Sequence, residues 1–146
     1  MPVQYIGEHL FPGDLGKSLI WLGFLTAILA AIFYLVEFYR KERAGAWKPA
    51  ARWMYTVHSL SVAGAAAVLC SIIFSHYFEY SYVWEYSSRE LPVRYIVSCF
   101  WAGQEGSLLV WALWQSLTGL VLLRLARDWE APVMFVFSLS QVFLVS

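Results

Sequence analysis

Residues 99–111 read C-F-W-A-G-Q-E-G-S-L-L-V-W. This stretch places an amide and a carboxylate, Gln104 and Glu105, between two glycines and directly before a long apolar run. Polar and charged side chains are costly inside a bilayer, and those found there are usually paired or functional. This stretch therefore bears on two points: where the following helix starts, and what the polar side chains in its first turn do.

The rest of the chain is typical of an integral membrane protein. Of its 146 residues, 60% are hydrophobic and 14% are charged, whereas soluble domains have about a quarter charged. No Lys, Arg, Asp or Glu occurs in residues 18–36, 53–77, 106–123 and 131–146. Because a bilayer core takes about 20 apolar residues in a helix, the first three runs predict complete transmembrane helices. The net charge is zero, so we expect no nucleic acid partner.

We expect an all-α fold: an integral membrane helical bundle with three complete transmembrane helices and a truncated fourth. The expected helices cover about residues 16–39, 53–76, 105–126 and 131–146. The fourth run spans only about 22 Å at 1.5 Å per residue, less than a hydrocarbon core of about 30 Å. The chain is therefore expected to be the N-terminal part of a longer protein, the alternative being a short re-entrant helix at a true C-terminus.

Basic residues concentrate in one short loop. Residues 40–52 carry five of the ten Lys and Arg, and short loops rich in these residues stay on the cytoplasmic side of a membrane. The N-terminus and residues 77–104 are then expected on the outer side. The link that carries Arg124 and Arg127 returns to the cytoplasm.

Residues 77–104 form an outer segment that is rich in aromatic side chains. These are Tyr77, Phe78, Tyr80, Tyr82, Trp84, Tyr86, Tyr95, Phe100 and Trp101. Tyr and Trp favour the membrane interface, so an anchoring belt is one interpretation. The density between Tyr80 and Trp84 exceeds what anchoring needs, and a surface for a flat apolar ligand is the second interpretation.

The outer segment also contains the pattern of an interfacial helix before the third transmembrane helix. Ser87 and Glu90 have the spacing of a capping box, in which each side chain accepts a bond from a free backbone N–H. Four apolar side chains then repeat at i, i+3, i+4 and i+7, which is typical of a helix lying on the membrane surface. They are Val93, Ile96, Val97 and Phe100.

Gly103 and Gly106 bracket the expected bend from this surface helix into the third transmembrane helix. Glu105 then lies at a helix N-terminus, where free N–H groups and the helix dipole favour a negative charge. A buried carboxylate at such a bend would also be a candidate for a functional role. Both interpretations of Glu105 stay open at this point.

Small residues at helical spacing predict close packing in the second and third transmembrane helices. In the second helix they are Ser59, Ala63, Ala66, Ala67 and Cys70. In the third helix they are Ala112, Ser116 and Gly119.

Residues 91–111 resemble a signature of the CcmF family of cytochrome c-type biogenesis proteins, in which W-G-x-x-E-G-S-L-L-L-W follows L-P-x-x-Y-(K/R). The first part is matched by Leu91, Pro92 and Tyr95. The motif residues of this chain are Trp101, Gly103, Gln104, Glu105, Gly106, Ser107, Leu108, Leu109 and Trp111. Ala102 and Val110 stand where the family usually has glycine and leucine. The closing run, residues 132–146, is similar to the next helix of that family.

The resemblance implies a multi-pass protein of the bacterial inner membrane that takes part in cytochrome c maturation as a heme lyase. Heme would be joined to apocytochrome c on the outer face, with a heme chaperone and thiol-reducing components as partners. Heme is the implied cofactor of the full-length protein. The family's W-G-x-x-W-x-W-D heme motif is absent here, so the chain alone is not expected to be active. Trp101 and Glu105 are the candidate cofactor-binding residues, and no catalytic residue or metal ligand is assigned.

The histidines and cysteines form no ligand pattern. His58 and His76 are 18 positions apart, or about 27 Å along one helix, so they cannot bind one iron together. His58 is expected to hydrogen-bond within the bundle, and His9 lies in a polar leader with no expected partner. Cys70 and Cys99 lack C-x-x-C spacing. A disulfide between them stays open, and packing is the expected role of Cys70.

Two other functions suit a membrane chain of this kind. A transporter fragment would use the glycine-bracketed break as a substrate site, although paired breaks at mid-membrane depth are typical of transporters. A structural assembly subunit would use the aromatic outer segment as a docking surface. The CcmF resemblance favours cytochrome c maturation over both.

Overall fold

The computed structural model describes residues 9–40, 45–88 and 92–146. These residues form α1 (Leu10–Tyr39), α2 (Lys48–Phe74), α3 (Ser81–Tyr86), α4 (Val93–Cys99), α5 (Gln104–Leu125), a 3-10 turn (Arg127–Trp129) and α6 (Glu130–Val145). The predicted all-α class is confirmed.

Four segments are long and apolar enough to cross a membrane: α1, α2, α5 and Arg127–Val145. The last segment has 19 residues, because the 3-10 turn continues directly into α6. It is therefore longer than the charge-free run from residue 131 indicates. Both α1 and α2 also begin earlier than their charge-free runs, since the ends of a spanning helix reach the interface, where charged side chains contact water.

Small residues let α1 pack closely against α2 and α6. Ala27 and Ala30 of α1 are fully buried, and Ala30 packs with Tyr34, Tyr55 and Met134 in one core cluster. Such close approach replaces the hydrophobic driving force that helices lack in lipid. The core of the bundle therefore lies between α1, α2 and α6.

The predicted packing stripe of α5 is confirmed, because Ala112, Ser116 and Gly119 are all buried. At Gly119 the α5 backbone lies directly against the Tyr55 hydroxyl of α2, and any Cβ there would overlap that hydroxyl. A glycine is thus required at this crossing of α2 and α5.

The predicted stripe of α2 is only partly right. Ser59 and Ala66 are buried, but Ala63 and Ala67 are exposed and Cys70 is half-buried. The face toward α1 is instead formed by His58, Ser61, Val62 and Ala65, the first three of which surround Gly23 of α1. The prediction relied on the small size of the α2 side chains alone. The packed face of α2 is instead the one that lies opposite Gly23 of α1.

A chain of hydrogen bonds joins the four long helices in their apolar interior. Nδ1 of His58 lies 2.9 Å from the Gly23 carbonyl oxygen, and Nε2 lies 3.4 Å from the Ser116 hydroxyl. The Gln141 amide donates to that hydroxyl at 2.8 Å and to the Ala112 carbonyl at 2.9 Å. Because a carbonyl can only accept, His58 donates from Nδ1 and accepts at Nε2. His58 therefore hydrogen-bonds within the bundle, as predicted.

The bundle has two chemically different ends. The basic end comprises residues 40–52 and 124–130, and the motif end comprises residues 75–107. At the basic end Glu130 is 1% exposed, and its two oxygens each lie 2.7 Å from a nitrogen of Arg52. Lys48 Nζ is 3.0 Å from the same carboxylate, and Tyr34 donates to it at 3.5 Å. These contacts join α1, α2 and α6.

Arg52→Met is expected to lower the free energy of unfolding by about 3 kcal/mol, because the buried Glu130 carboxylate loses its bidentate partner. The loss falls at the low end of the range for buried pairs, since Arg52 is 48% exposed and Lys48 keeps one contact. Thermal unfolding of the purified protein in detergent measures the change.

Arg124→Met is the matched control, because it removes a positive charge from the same end and Arg124 makes no ion pair with any described residue. The double variant Arg52→Met/Glu130→Gln should recover most of the loss, since no buried charge is then unpaired. Equal stability of Arg52→Met and Arg124→Met would contradict the role of the ion pair.

Candidate functional site

Two short helices, α3 and α4, connect α2 to α5 across the motif end. The predicted start of the surface helix at Ser87 is wrong: Ser87 ends α3 in an extended conformation, with φ −127° and ψ 157°, and α4 begins at Val93 after Pro92. Pro92 has φ −56° and ψ 147°, so the chain enters α4 from an extended conformation at a residue that lacks an N–H. Glu90, the second half of the predicted capping box, lies outside the described residues, as does Leu91 of the family signature.

The apolar residues of the predicted surface helix differ in burial. Ile96 and Cys99 are buried, Phe100 is half-buried, and Val93 and Val97 are exposed. α4 is only 7 residues long, so Phe100 lies just after its last residue, and contact of Val93 and Val97 with the membrane surface stays a prediction. The helix turns Ile96 and Cys99 toward Ile72, Ile73 and Val83.

The Tyr82 hydroxyl is the centre of the motif bend, which we define as residues 99–107. It lies 3.1 Å from the Cys99 carbonyl oxygen and 3.0 Å from that of Phe100, and it accepts the Gly103 N–H at 3.2 Å. The single hydroxyl proton is shared between the two carbonyls, so one side chain of α3 caps the end of α4 and also accepts a free N–H before α5. Such groups at helix ends have no partner within the helix.

Both glycines of the motif are required by this packing. A Cβ at Gly103 would lie 2.7 Å from ring carbons of Tyr82 and Tyr86. A Cβ at Gly106 would overlap the Phe100 carbonyl oxygen and the Tyr82 hydroxyl. The bend therefore has glycine where the tyrosines and the α4 backbone approach most closely.

Hydrogen bonds from the remaining motif residues close the bend. The Ser107 hydroxyl donates to the Trp101 carbonyl at 2.9 Å, and the Ser107 N–H donates to the Gly103 carbonyl at 3.0 Å. Trp101 is half exposed and Trp111 is 70% exposed. Ser107 thus closes the bend, and the rings of Trp101 and Trp111 face outward.

Glu105 lies in the first turn of α5, which begins at Gln104 with Gly103 as its N-cap. Its carboxylate is exposed, as is the amide of Gln104, and it makes no capping hydrogen bond to the helix N-terminus. The sequence-based placement of Glu105 at a helix start is right. The charge benefits from the helix dipole, and it stays available to a partner.

A cavity of about 580 Å³ opens beside the bend. Glu105 of α5 and Glu85 of α3 both line it, together with Tyr82 and Tyr86, while most of the remaining wall is apolar and comes from α1, α2, α5 and α6. Leu108 and Leu109 of the motif belong to this wall. The cavity thus combines an apolar surface with two carboxylates at one side.

Burial raises the pKa of the Tyr82 hydroxyl; the Gly103 N–H partly offsets this, and the nearby Glu105 carboxylate raises the pKa further. The hydroxyl therefore stays protonated in the physiological range and remains a donor to the Cys99 and Phe100 carbonyls. This protonation state is the one that the bend needs.

The structure corrects the prediction for His9 and resolves the state of the cysteines. The His9 N–H and Nδ1 lie 2.7 Å and 3.1 Å from a carboxylate oxygen of Glu79, and the ring stacks on Tyr77 at 4.3 Å. The expectation that His9 has no partner was wrong because the N-terminal end of α1 lies beside the outer segment. Cys70 and Cys99 are both free, and the Cys99 thiol donates to the Tyr86 carbonyl at 2.7 Å.

The cavity beside the bend offers none of the commonest ligands to a heme iron. Axial ligands of heme are most often His, Cys or Met, and none of these lines the 580 Å³ cavity. Both ring nitrogens of His58 are already hydrogen-bonded. His76 has a buried Nδ1 without a hydrogen-bond partner among the described residues, but it does not line the cavity. We therefore assign no iron ligand in this cavity.

Sequence reasoning missed Tyr82, Glu130 and Gln141 as organising residues. Tyr82 looks like one interfacial aromatic among nine, and Glu130 looks like a solvated link residue. Gln141 gave the clearest signal, since an amide within an apolar run has to find hydrogen-bond partners in the bundle.

These features define a class: a multi-pass α-helical membrane protein. One end of its bundle has a sharp bend that lies between two glycines and is held by a tyrosine hydroxyl. No family model matches the chain. Over 134 residues, 88% of this chain, it is 30% identical to the cytochrome c-type biogenesis protein CcmF of Escherichia coli (strain K12), of which it covers 20%.

A solved structure of the cytochrome c heme lyase CcmF matches 99% of the chain with a TM-score of 0.84 at 26% sequence identity. The chain covers 24% of that structure. These two findings confirm the resemblance to CcmF over almost the whole chain, including the first two helices. The chain spans about a fifth of the curated relative and a quarter of the solved one.

Gly106→Ala is expected to destabilise the motif bend by about 1–3 kcal/mol, as overpacking of a close contact does, because its Cβ would overlap backbone at Phe100. Limited proteolysis of the purified protein should then cut faster within residues 87–103. The matched control is Gly16→Ala, whose Cβ meets only Val68 at 3.4 Å. A cleavage rate that Gly106→Ala leaves at the wild-type value would contradict the packing described here.

Proposed function

We propose that the chain is part of the membrane machinery for cytochrome c maturation and that it assists heme handling and covalent heme attachment to apocytochrome c. The support is the similarity of the chain to CcmF proteins, one of which is named as a cytochrome c heme lyase. In this proposal heme is the cofactor of the full-length protein, and its iron ligands lie outside the described residues. The partners are apocytochrome c, a heme chaperone and thiol-reducing components.

The observation that carries the proposal is the motif bend. Two residues that match the CcmF signature fix the bend: Gly106 admits the Tyr82 hydroxyl, and Ser107 closes the turn. Gly103, at a position that the signature leaves open, admits the rings of Tyr82 and Tyr86. The bend presents Glu105 at the rim of an apolar cavity. In the proposed role this carboxylate holds a cationic group of a partner segment, and Trp101 contributes an exposed aromatic surface beside it.

We further propose that the motif end faces the outer side of the bacterial inner membrane, with the N-terminus outside. The supporting observation is the charge asymmetry of the bundle, because the basic end carries residues 40–52, Arg124 in the last turn of α5 and Arg127 in the 3-10 turn. Short basic loops stay in the cytoplasm. Heme attachment to apocytochrome c would then occur next to the motif end.

A reporter enzyme that is active only outside the cytoplasm should stay silent when fused after Lys48 and be active when fused after Tyr86. The physical reason is the retention of the basic loop on the cytoplasmic side. Enzyme activity in whole cells is the measurement, with immunoblots to equalise fusion levels. The reverse pattern would overturn the proposed orientation.

Glu105→Gln in the full-length protein should reduce the yield of covalent c-type cytochrome at least about tenfold, because loss of one partner of a charged pair at an interface costs about 2 kcal/mol or more. If the carboxylate acted only on the helix dipole, the change would cost about 0.3–1 kcal/mol and leave maturation nearly normal. Heme staining at matched protein levels separates the two cases.

Glu85→Gln is the matched control, because it removes the other carboxylate that lines the same cavity. Glu105→Asp keeps the charge and shortens its reach by one methylene. A normal cytochrome yield from both Glu105 variants would contradict the proposed role and show that Glu105 acts only on the structure of the helix start.

A further inference from the structure

The basic end carries a second, smaller cleft with a different chemistry from the motif-end cavity. It has a volume of about 310 Å³ and is lined by Gly45, Lys48, Pro49, Arg52 and Trp53. Lys48 and Arg52 are four residues apart on α2, so their side chains lie on the same face of that helix. The cleft thus brings two cations and one indole ring together.

The two cations face the cleft although they also bind Glu130. Glu130 is 1% exposed and lies on the inner side, whereas Lys48 and Arg52 are 31% and 48% exposed. Arg52 uses Nε and Nη2 for Glu130, and Nη1 makes no hydrogen bond to any described residue. Two positive charges against one carboxylate leave this cluster with a single net positive charge on its exposed side.

The carboxylate of Glu37 does not compete for this charge. Glu37 of α1 accepts hydrogen bonds from the backbone N–H groups of Gly45 and Trp47, and it does not line the cleft. It thereby fixes the backbone directly before α2. Among the described residues, the charged side chains that line the cleft are both cations.

Exposed aromatic side chains occur in and next to the segments that form the basic end. They are Tyr39, Trp47, Trp53 and Trp129, with exposed fractions of 74%, 37%, 66% and 73%. Trp and Tyr concentrate where lipid headgroups meet the hydrocarbon core. This concentration of aromatics indicates that the basic end meets the headgroup region, where basic pockets bind anionic headgroups.

We propose that this cleft binds the phosphate of an anionic phospholipid of the phosphatidylglycerol type. Lys48 and the free Nη1 of Arg52 would contact the phosphate, and Trp53 would pack against the glycerol and the first acyl carbons. The inner oxygens of Glu130 keep both cations in place for the lipid. The proposal concerns lipid binding at the end opposite the motif bend and does not depend on heme handling.

Native mass spectrometry of the intact chain, released from detergent with added lipid, tests this site. Phosphatidylglycerol should bind several-fold more tightly than zwitterionic phosphatidylethanolamine, and Lys48→Met should weaken it about fivefold, the effect expected for one basic residue at a charged membrane surface. Lys48→Met leaves the bidentate contact between Arg52 and Glu130 intact. Trp53→Ala, which touches no ion pair, should also weaken phosphatidylglycerol binding.

Arg124→Met is the matched control, because it removes the same charge from the same end but does not line the cleft; it should leave phosphatidylglycerol binding within twofold of wild type. Equal binding of the two lipids, or equal losses for Lys48→Met and Arg124→Met, would overturn the site. Millimolar inorganic phosphate should not displace the lipid. Displacement at that concentration would assign the cleft to free phosphate and overturn the lipid proposal.

Discussion

The motif end depends on one hydroxyl group, that of Tyr82. A helix that ends at a bilayer surface leaves carbonyls free, and the next helix leaves N–H groups free. In this chain the Tyr82 hydroxyl satisfies both kinds of group at once, at 3.0–3.2 Å from the carbonyls of Cys99 and Phe100 and from the Gly103 nitrogen. The sharp connection between α4 and α5 follows, and so does the need for glycine at residues 103 and 106.

This geometry explains why a carboxylate follows directly after the bend. The first turn of α5 favours a negative charge, and the bend leaves Glu105 exposed at the rim of a cavity that Glu85 shares. At the other end of the bundle a carboxylate also lies at a helix N-terminus, because α6 begins at Glu130. That carboxylate is buried and paired with Arg52 and Lys48. One end therefore keeps its carboxylates available, whereas the other uses its carboxylate to join three helices.

Hydropathy and spacing sufficed to predict the class of the fold, the packed face of α5 and the position of Glu105, because these depend on local sequence and bilayer thickness. They failed wherever a distant residue decides the outcome. α4 begins at Val93 rather than after Ser87. The buried face of α2 is the one that packs against Gly23 of α1. The partners of Tyr82 lie 17 to 21 residues away in the chain, and those of Glu130 lie 78 to 96 residues away, so no local pattern contains them.

The central claim is that the Tyr82 hydroxyl locks the motif bend, and amide hydrogen exchange in Tyr82→Phe tests it most directly. Exchange at the Gly103 N–H should rise about fivefold, as expected for the loss of a hydrogen bond worth about 1 kcal/mol. Tyr80→Phe is the control, because the Tyr80 hydroxyl instead bonds the Gly13 N–H at 2.9 Å and the His9 carbonyl. It should raise exchange at Gly13 and leave Gly103 unchanged. Unchanged exchange at Gly103 in Tyr82→Phe would contradict the account.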